Sequence, residues 1–555
     1  MGRLAKGTLI PIPDPKPPDQ NESVTEGSPW RLLKEPLFRS LWWATLISNV
    51  GTWMQNVGAA WLMTSLTVSP LMIALVQAAT SLPVFLVALP AGALADLVER
   101  RRFLVLTQVW MLAAAAILGL LAALNSVTPW TLIALTFALG LGAAMNTPAW
   151  QATIPEIAPK SELKNAITLN GVSINIARAV GPALGGIVIA ASGVGTVFLL
   201  NAVSFVAVVV ALLRWKRLPK ISPAFPERFF GAMRGGIRYV AHAPLLQAVL
   251  IRAAVFTMGA SGLWALLPVR VKMLDLGAGG YGFLLGCLGA GASGGVFLLP
   301  RARRAFSPDA LAAAATLTFS LCTLALALAE NVVLLAAAMF AAGIAWITLM
   351  SVLNAAAQTA VPDWVKGRAL SFYLLAFQGG LAAGSAAWGG LASQAGTEVS
   401  LGAAATFLVI GLVAAPRYRI GAAEGLDQTP TLHWPAPEIV VAPRPDDGPV
   451  QVSVEYRIDP DRSDEFVAEL QELRRVRLRD GAMTWAVYRD TSDPTRYVET
   501  FLVDSWSEHM RQHERITTED RKIEDAVRAF QVADSPPRVQ HLIASAMSRA
   551  RKTGT

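Results

Sequence analysis

The sequence predicts an all-α polytopic membrane protein of twelve transmembrane helices in two six-helix halves, followed by a small α+β soluble domain. Three observations predict it. Of the 555 residues, 54% are hydrophobic and only 15% charged, against roughly a quarter charged in an ordinary soluble domain. Apolar runs long enough to cross a hydrocarbon core about 30 Å thick recur along the chain. Near Arg419 this character stops, and a Pro-rich stretch leads into a charged segment with strand and helix periodicities in turn.

Twelve apolar runs fall at about 41–64, 70–95, 103–124, 129–150, 167–191, 195–213, 245–269, 280–300, 308–329, 331–353, 369–393 and 399–415. Each is expected to be a helix, because backbone amides in lipid find no water and must bond within their own segment. A β-barrel would alternate polar and apolar residues, and these runs do not. The opening "MGRLAKGTLIPIPDPKPPDQNESVTEGSP" has neither an apolar core nor a small-residue cleavage site. Residues 1–36 therefore read as a disordered tail, with the first span acting as its own insertion signal. The two cysteines, Cys287 and Cys322, lie inside apolar runs. They are expected to be small apolar residues rather than disulfide partners or metal ligands.

Orientation follows from the basic residues of short loops. With the amino terminus inside, the inner loops hold Arg100, Arg101, Arg102, Lys160, Lys164, Arg301, Arg303, Arg304, Lys366 and Arg368, and the central loop adds seven more between Arg214 and Arg238. The outer loops hold Arg270 and Lys272. Both termini are thus expected on the cytoplasmic side. The net charge of +8 then reflects topology and not nucleic-acid binding, since arginines on separate loops form no single groove.

The central loop, 214–243, separates an amino-terminal half (37–213) from a carboxy-terminal half (244–420). Within it "ERFFGAMRGGIRYVAHA" places Phe229, Met233, Ile237 and Tyr239 or Val240 at near-helical spacing. A helix lying on the inner leaflet is expected, the alternative being a solvated linker. The halves also resemble each other. Gln151 and Pro155 align with Gln358 and Pro362, and Ala166, Gly181 and Gly186 align with Ala369, Gly384 and Gly389. Duplicated halves with a site between them near the midplane are a common plan of secondary carriers.

Two motifs carry a family resemblance. "GALADLVERRR", Gly92 to Arg102, resembles the loop motif of the major facilitator superfamily. "GPALGG", Gly181 to Gly186, resembles the end of the fifth-span motif of that superfamily's exporters. Two longer stretches, "VPDWVKGRALSFY" from Val361 and "IRAAVFTMGASGLWALLPV" from Ile251, are similar to the branch that holds the enterobactin exporter and the transmembrane secretion effectors. Leu97 and Glu99 depart from the loop motif, and Thr168 and Ala177 replace glycines of the fifth-span motif. The resemblance implies a gating role for Gly92, Asp96, Arg100, Arg101 and Arg102, with Asp96 latching onto a helix amino terminus of the other half, where an anion is favoured. The alternative is a topology anchor among anionic headgroups. Gly181, Pro182, Gly185 and Gly186 present a face without side chains, and close helix packing is expected there.

Polar groups inside the membrane are costly and mark candidate sites. Asn49, Trp53 and Asn56 share one face of the first span, with Gln55 beside them. Arg178, Arg252, Trp264, Gln358 and Gln378 complete the predicted substrate cavity, and Gln77, Asn146, Thr257 and Ser261 extend the set of polar residues within spans. Each amide has interhelical hydrogen bonding as its alternative. No aspartate or glutamate lies deep in a span, although proton-driven carriers commonly load a buried carboxylate. Arg178, near the middle of the fifth span, must face a cavity, a carbonyl or a counter-ion. It reads either as a substrate's counter-ion or as a strut bonded to Asn175.

After the linker, 421–449, residues 450–546 read strand, helix, strand, strand, helix, strand, the order of the ferredoxin-like split unit; 547–555 is a tail. This cytoplasmic domain resembles the antibiotic-biosynthesis monooxygenase type, which implies dimerisation through sheets and, in some members, quinone oxidation without metal or flavin. Trp485, Tyr488 and Tyr497 form either an aromatic pocket or core. His509 and His513 stand one turn apart without a third ligand nearby, so neither metal nor cofactor is expected. The reading is a secondary transporter exporting a small organic molecule, anionic or aromatic, by alternating access. Its partners are that substrate, the bilayer and a coupling ion such as a proton, with no catalytic residues. The competing class is a membrane-tethered enzyme or sensor in which the tail acts.

Overall fold

The computed structural model describes residues 29–97, 99–215, 229–421 and 425–544 apart from 432, 436, 438 and 533–535. The side chains of 29, 88, 89, 91–97, 160 and 229–233 are also outside the described set, so the predicted gating residues Gly92 and Asp96 are placed only by their backbone.

Six long helices come first: α1 (Pro36–Leu66), α2 (Pro70–Leu97), α3 (Arg100–Ala123), α4 (Pro129–Ile157), α5 (Leu163–Ser192) and α6 (Val194–Arg214). A shorter α7 (Phe229–His242) leads to α8 (Pro244–Met273), α9 (Gly277–Ala305), α10 (Pro308–Leu328), α11 (Val332–Thr359), α12 (Lys366–Ala395) and α13 (Thr397–Val413). Among the described residues eleven of these are long and apolar enough to cross a membrane. The 31-residue α1 is not one of them, because Asn49, Thr52, Gln55 and Asn56 interrupt its apolar run.

Local chemistry sets many helix ends. Proline opens α1, α4, α8 and α10, where its missing N–H costs nothing. Thr128, Ser307 and Asn331 cap α4, α10 and α11 through their side-chain oxygens. Gly193 and Gly396, at φ 82° and 93°, make the tight links α5–α6 and α12–α13. The two links are equivalent in the two halves.

The aligned glycines of the repeat do equivalent work. A Cβ on Gly181 would stand 2.5 Å from Trp53 Cβ on α1, and one on Gly384 would stand 2.3 Å from Met258 O on α8. Each glycine thus packs its helix on the first long helix of its own half. A Cβ on Gly186 would meet the backbone of Gly282 on α9 at 2.9 Å, and one on Gly389 would meet Ala74 on α2 at 2.5 Å. These form the seams between halves, α5 against α9 and α12 against α2. Gly185 lies 3.0 Å by the same measure from Met54 Cα, and Pro182 is buried beside it within an unbroken α5. Both cysteines are free, Cys322 buried and Cys287 partly so.

The carboxy-terminal segment contains β1 (Val450–Arg457), α14 (Ser463–Asp480), β2 (Ala482–Arg489), β3 (Arg496–Val503), α15 (Trp506–Arg515), α16 (Thr518–Arg528) and β4 (Arg538–Ile543). The strands form one antiparallel sheet in the order β2-β3-β1-β4. Burial alternates along β1 and β3, and Phe466, Leu470 and Leu473 of α14 are within 1% of full burial against that inner face. The run 505–530, expected as one helix, is two. Thr517 starts the second through a capping box with Asp520.

In α7, Tyr239 is 1% exposed, edge-on to Trp364 at 5.6 Å and beneath Arg479 of α14, so this position packs on the tail domain, while Ile237 of the expected interfacial face is exposed. Arg238 next to it pairs with Glu508 at 3.2 Å. The Pro-rich linker is tied to the tail domain. Thr431 N donates to Ile516 O, while His433 and Trp434 both bond Glu524 inside the tail domain.

Candidate functional site

Between the two halves, at mid-depth, lies a cavity of about 450 Å³. Helical spacing builds its walls. Trp53, Asn56, Val57 and Ala60 are successive positions on one face of α1, opposed by Trp346, Ile347, Met350 and Asn354 on one face of α11. Gln77 and Thr80 come from α2, Arg178 from α5, Trp264 from α8, Tyr281 from α9, and Tyr373 and Phe377 from α12. The wall is therefore mostly aromatic and aliphatic with a few converging polar groups, the usual make-up of a small-molecule site.

The guanidinium of Arg178 lies 5.8 Å from the centre of the Trp53 ring, within range of a cation–π contact. Among the described residues it has no carboxylate partner and no side-chain hydrogen bond, so the predicted strut to Asn175 is not formed. Trp264 Nε1 in the same wall is a buried donor without an acceptor. Among the described residues no aspartate or glutamate lines the cavity.

One end is closed. Lys272 Nζ donates to Thr64 O across the halves, Trp61 stacks on Tyr281 at 6.1 Å, and Leu71 N donates to Ser393 Oγ at 3.0 Å. Toward the other end the halves part. There α4 packs on α1, α2, α3 and α5, and α11 on α8, α9, α10 and α12, while Asn354 and Leu374 of the wall are exposed.

Of the residues the sequence predicted for the cavity, Trp53, Asn56, Arg178 and Trp264 line it, and five do not. Asn49, one turn from Trp53, donates to Ser173 Oγ on α5. Gln55 is turned about 200° around the helix from Trp53 and bonds Asn201 of α6. Arg252 pairs with Asp309 at 2.5 Å, and Asp309 also accepts from Ile420 N and Gly421 N, so this pair pins the end of the bundle to the linker. Gln358 lies one turn beyond Asn354, donating to it at 3.2 Å, and is exposed. Gln378 is on α12 outside the wall. Gln77 is among the polar span residues legible in the sequence; Asn354, Tyr281, Trp346 and Tyr373 are wall residues the sequence reading misses, and the face shared by Asn354 and Gln358 is the signal for the first.

Of the loop cluster, Arg100 pairs with Glu156 at 2.6 Å, Arg101 donates to the carbonyls of Leu212 and Leu213, and Arg102 faces Glu99 at 3.5 Å. These contacts lie within the first half. In the tail, Tyr497 is core and Tyr488 exposed, so with Trp485, which donates to Glu499, they share no pocket. Arg477 sits between Glu499 and Glu524 at 3.1 and 2.7 Å. Burial would raise the Glu524 carboxyl, yet the Arg477 charge with hydrogen bonds from His433 and Trp434 holds it at about 2. Burial, with His541 and His513 nearby, pushes His509 down to about 3. Among the described residues no group of three His, Cys, Asp or Glu is disposed to hold a metal.

The profile of the transmembrane secretion effector family matches residues 27–550. The chain belongs to that family. It is similar to the staphyloferrin A transporter of Staphylococcus aureus, 29% identical over 174 residues, which cover 31% of this chain and 44% of that one. It is also similar to the enterobactin exporter EntS of Salmonella typhimurium, 25% identical over 391 residues, covering 69% of this chain and 92% of the exporter. The matched stretch thus spans less than half of the first relative and nearly all of the second. In fold it is similar to a bacterial homolog of the human lysosomal transporter Spinster in an inward-facing, unoccupied conformation, at TM-score 0.55 and 14% identity over 70% of this chain and 97% of that one. The POT family transporter PepTSo aligns at TM-score 0.58 with 12% identity, covering 69% and 97%.

Proposed function

We propose that this chain is a secondary transporter that exports a small organic anion with an aromatic part, by alternating access between its two halves. The observation that carries the proposal is the cavity itself. It lies on the boundary between halves, is closed at the Thr64 end, parts toward the other, and presents one unpaired arginine among aromatic rings and amides. The glycine seams α5–α9 and α2–α12 support rocking of one half against the other, since backbones in close contact can separate and re-form without repacking side chains.

In this reading α1 is the twelfth span. Its polar residues are accommodated by Ser173, Asn201 and the cavity rather than by lipid. The positive loops support this reading with both termini and the tail domain on the cytoplasmic side of the bacterial inner membrane. The cavity then opens inward, where an exporter loads. The strand order β2-β3-β1-β4 supports a ferredoxin-like tail, in which Arg477, paired with Glu499 and Glu524, lies under the ring of the linker's Trp434. The exporter named above, matched over most of its length, supports transport over the tethered-enzyme reading.

The test is transport by inside-out vesicles from cells expressing the full chain, with aromatic carboxylates and sulfonates as candidates and an imposed pH gradient as the variable. Uptake that Asn56→Ala and Arg178→Gln both abolish is expected. Uptake indifferent to both variants would refute this cavity as the route.

A further inference from the structure

We infer that Arg178 makes closure of the cavity depend on a bound anion, so that the carrier exchanges one organic anion for another and is not driven by protons. The inference rests on the transport reading above. Its basis is a contrast among arginines of the bundle. Arg252 is paired with Asp309, and Arg270 with Glu398 at 2.8 Å. Among the described residues Arg178, midway along α5, meets only the Trp53 ring.

An arginine cannot shed its proton. While the cavity is open at one end, water can solvate the guanidinium. Alternating access requires an intermediate closed at both ends, and there an uncompensated cation would lie in a dry, low-dielectric site at a large desolvation cost. Among the described residues no carboxylate in the wall can offset that charge. A substrate sulfonate, carboxylate or phenolate can, with its ring against Trp53 and the free Trp264 N–H as a further donor.

The residue also stands where the halves must move. A Cβ on Gly289 of α9 would lie 2.7 Å from the Arg178 carbonyl, so the charge is mounted on the α5–α9 seam. The empty carrier therefore stalls, the loaded one turns over, and return requires a second anion.

The test uses the full chain in liposomes with 2-naphthalenesulfonate, which stays ionised at all working pH values, and its uncharged sulfonamide. Labelled naphthalenesulfonate should enter vesicles preloaded with the unlabelled anion at least tenfold faster than vesicles holding only zwitterionic buffer. A pH gradient of either sign should change that rate less than twofold. In Thr64→Cys protein, labelling by an impermeant maleimide should rise severalfold with the anion and not with the sulfonamide. Adding Arg178→Gln should make that labelling high without any anion, and Arg178→Lys should restore the dependence. Equal uptake into empty and preloaded vesicles, or accumulation driven by the pH gradient, overturns the inference and leaves the transport reading intact. Thr64→Cys labelling that never changes, with no uptake of either probe, overturns both.

Discussion

Gly186→Ala tests whether the α5–α9 seam holds the closed end shut. The added methyl would lie 2.9 Å from both Ala278 O and Gly282 Cα, and 3.2 Å from Gly282 N. All three are backbone atoms of α9, so no side chain can swing aside. Ordinary contact begins near 3.4 Å, so α5 and α9 must separate by about half an ångström at this level, and overpacking of this kind costs about 1–3 kcal/mol. In the proposed rocking of one half against the other, this level of the seam parts when the Thr64 end opens, so the cost should fall on the closed conformation. At about 1.4 kcal/mol per tenfold, the open-to-closed ratio should rise by roughly 5- to 150-fold. Spin labels on Ser65 and Asp275, both at that end, would report the shift as a longer distance population. Gly291→Ala is the control. Its methyl would strike Phe340 O within one half, so it should lower thermal stability without changing the distances. A Gly186→Ala protein with unaltered distances and turnover would refute the seam's role.

Three other outcomes follow from the described contacts. Arg477→Met should leave Glu499 and Glu524, 0% and 3% exposed, without their shared cation, and destabilise the tail domain by about 3–5 kcal/mol; limited proteolysis of the full chain should then cut within 450–544, and wild-type resistance would contradict the estimate. The pH dependence of that domain follows from its histidines. Burial lowers His509, His513 and His541, so the unfolded chain binds protons that the folded one refuses; their stabilisation is complete above about pH 6.5 and is lost as pH falls toward 3. Hydrogen exchange along α15 and β4, corrected for intrinsic rate, should quicken from pH 7.5 to 5.5, and His509→Gln should flatten the change. Arg252→Met should strand Asp309 and loosen the Ile420–Gly421 junction. Cleavage there should increase while transport persists, and loss of transport would return Arg252 to the cavity.

Much of the fold could be read from single residues because lipid imposes one solution on an apolar run. The helix runs, the inner-loop arginines and the glycine repeat all express local constraints of that kind. The cavity was less legible. Periodicity shows that Asn49, Trp53 and Asn56 share a face, but not that Asn49 turns to Ser173 while Asn56 meets empty space. Gln55 and Gln358 failed for different reasons, one on the far side of its helix and one a turn too far along it.

The sequence by itself determined that most of this chain belongs in a bilayer, where it divides, that its tail alternates strands and helices, and that an arginine sits at mid-membrane. It did so because hydrophobicity and charge act residue by residue. Only the tertiary structure decided that Arg178, among the described residues, faces the cavity without a carboxylate partner, which seams join the halves, and that the tail packs on α7. Those depend on which faces meet across helices more than a hundred residues apart, and no local pattern records that.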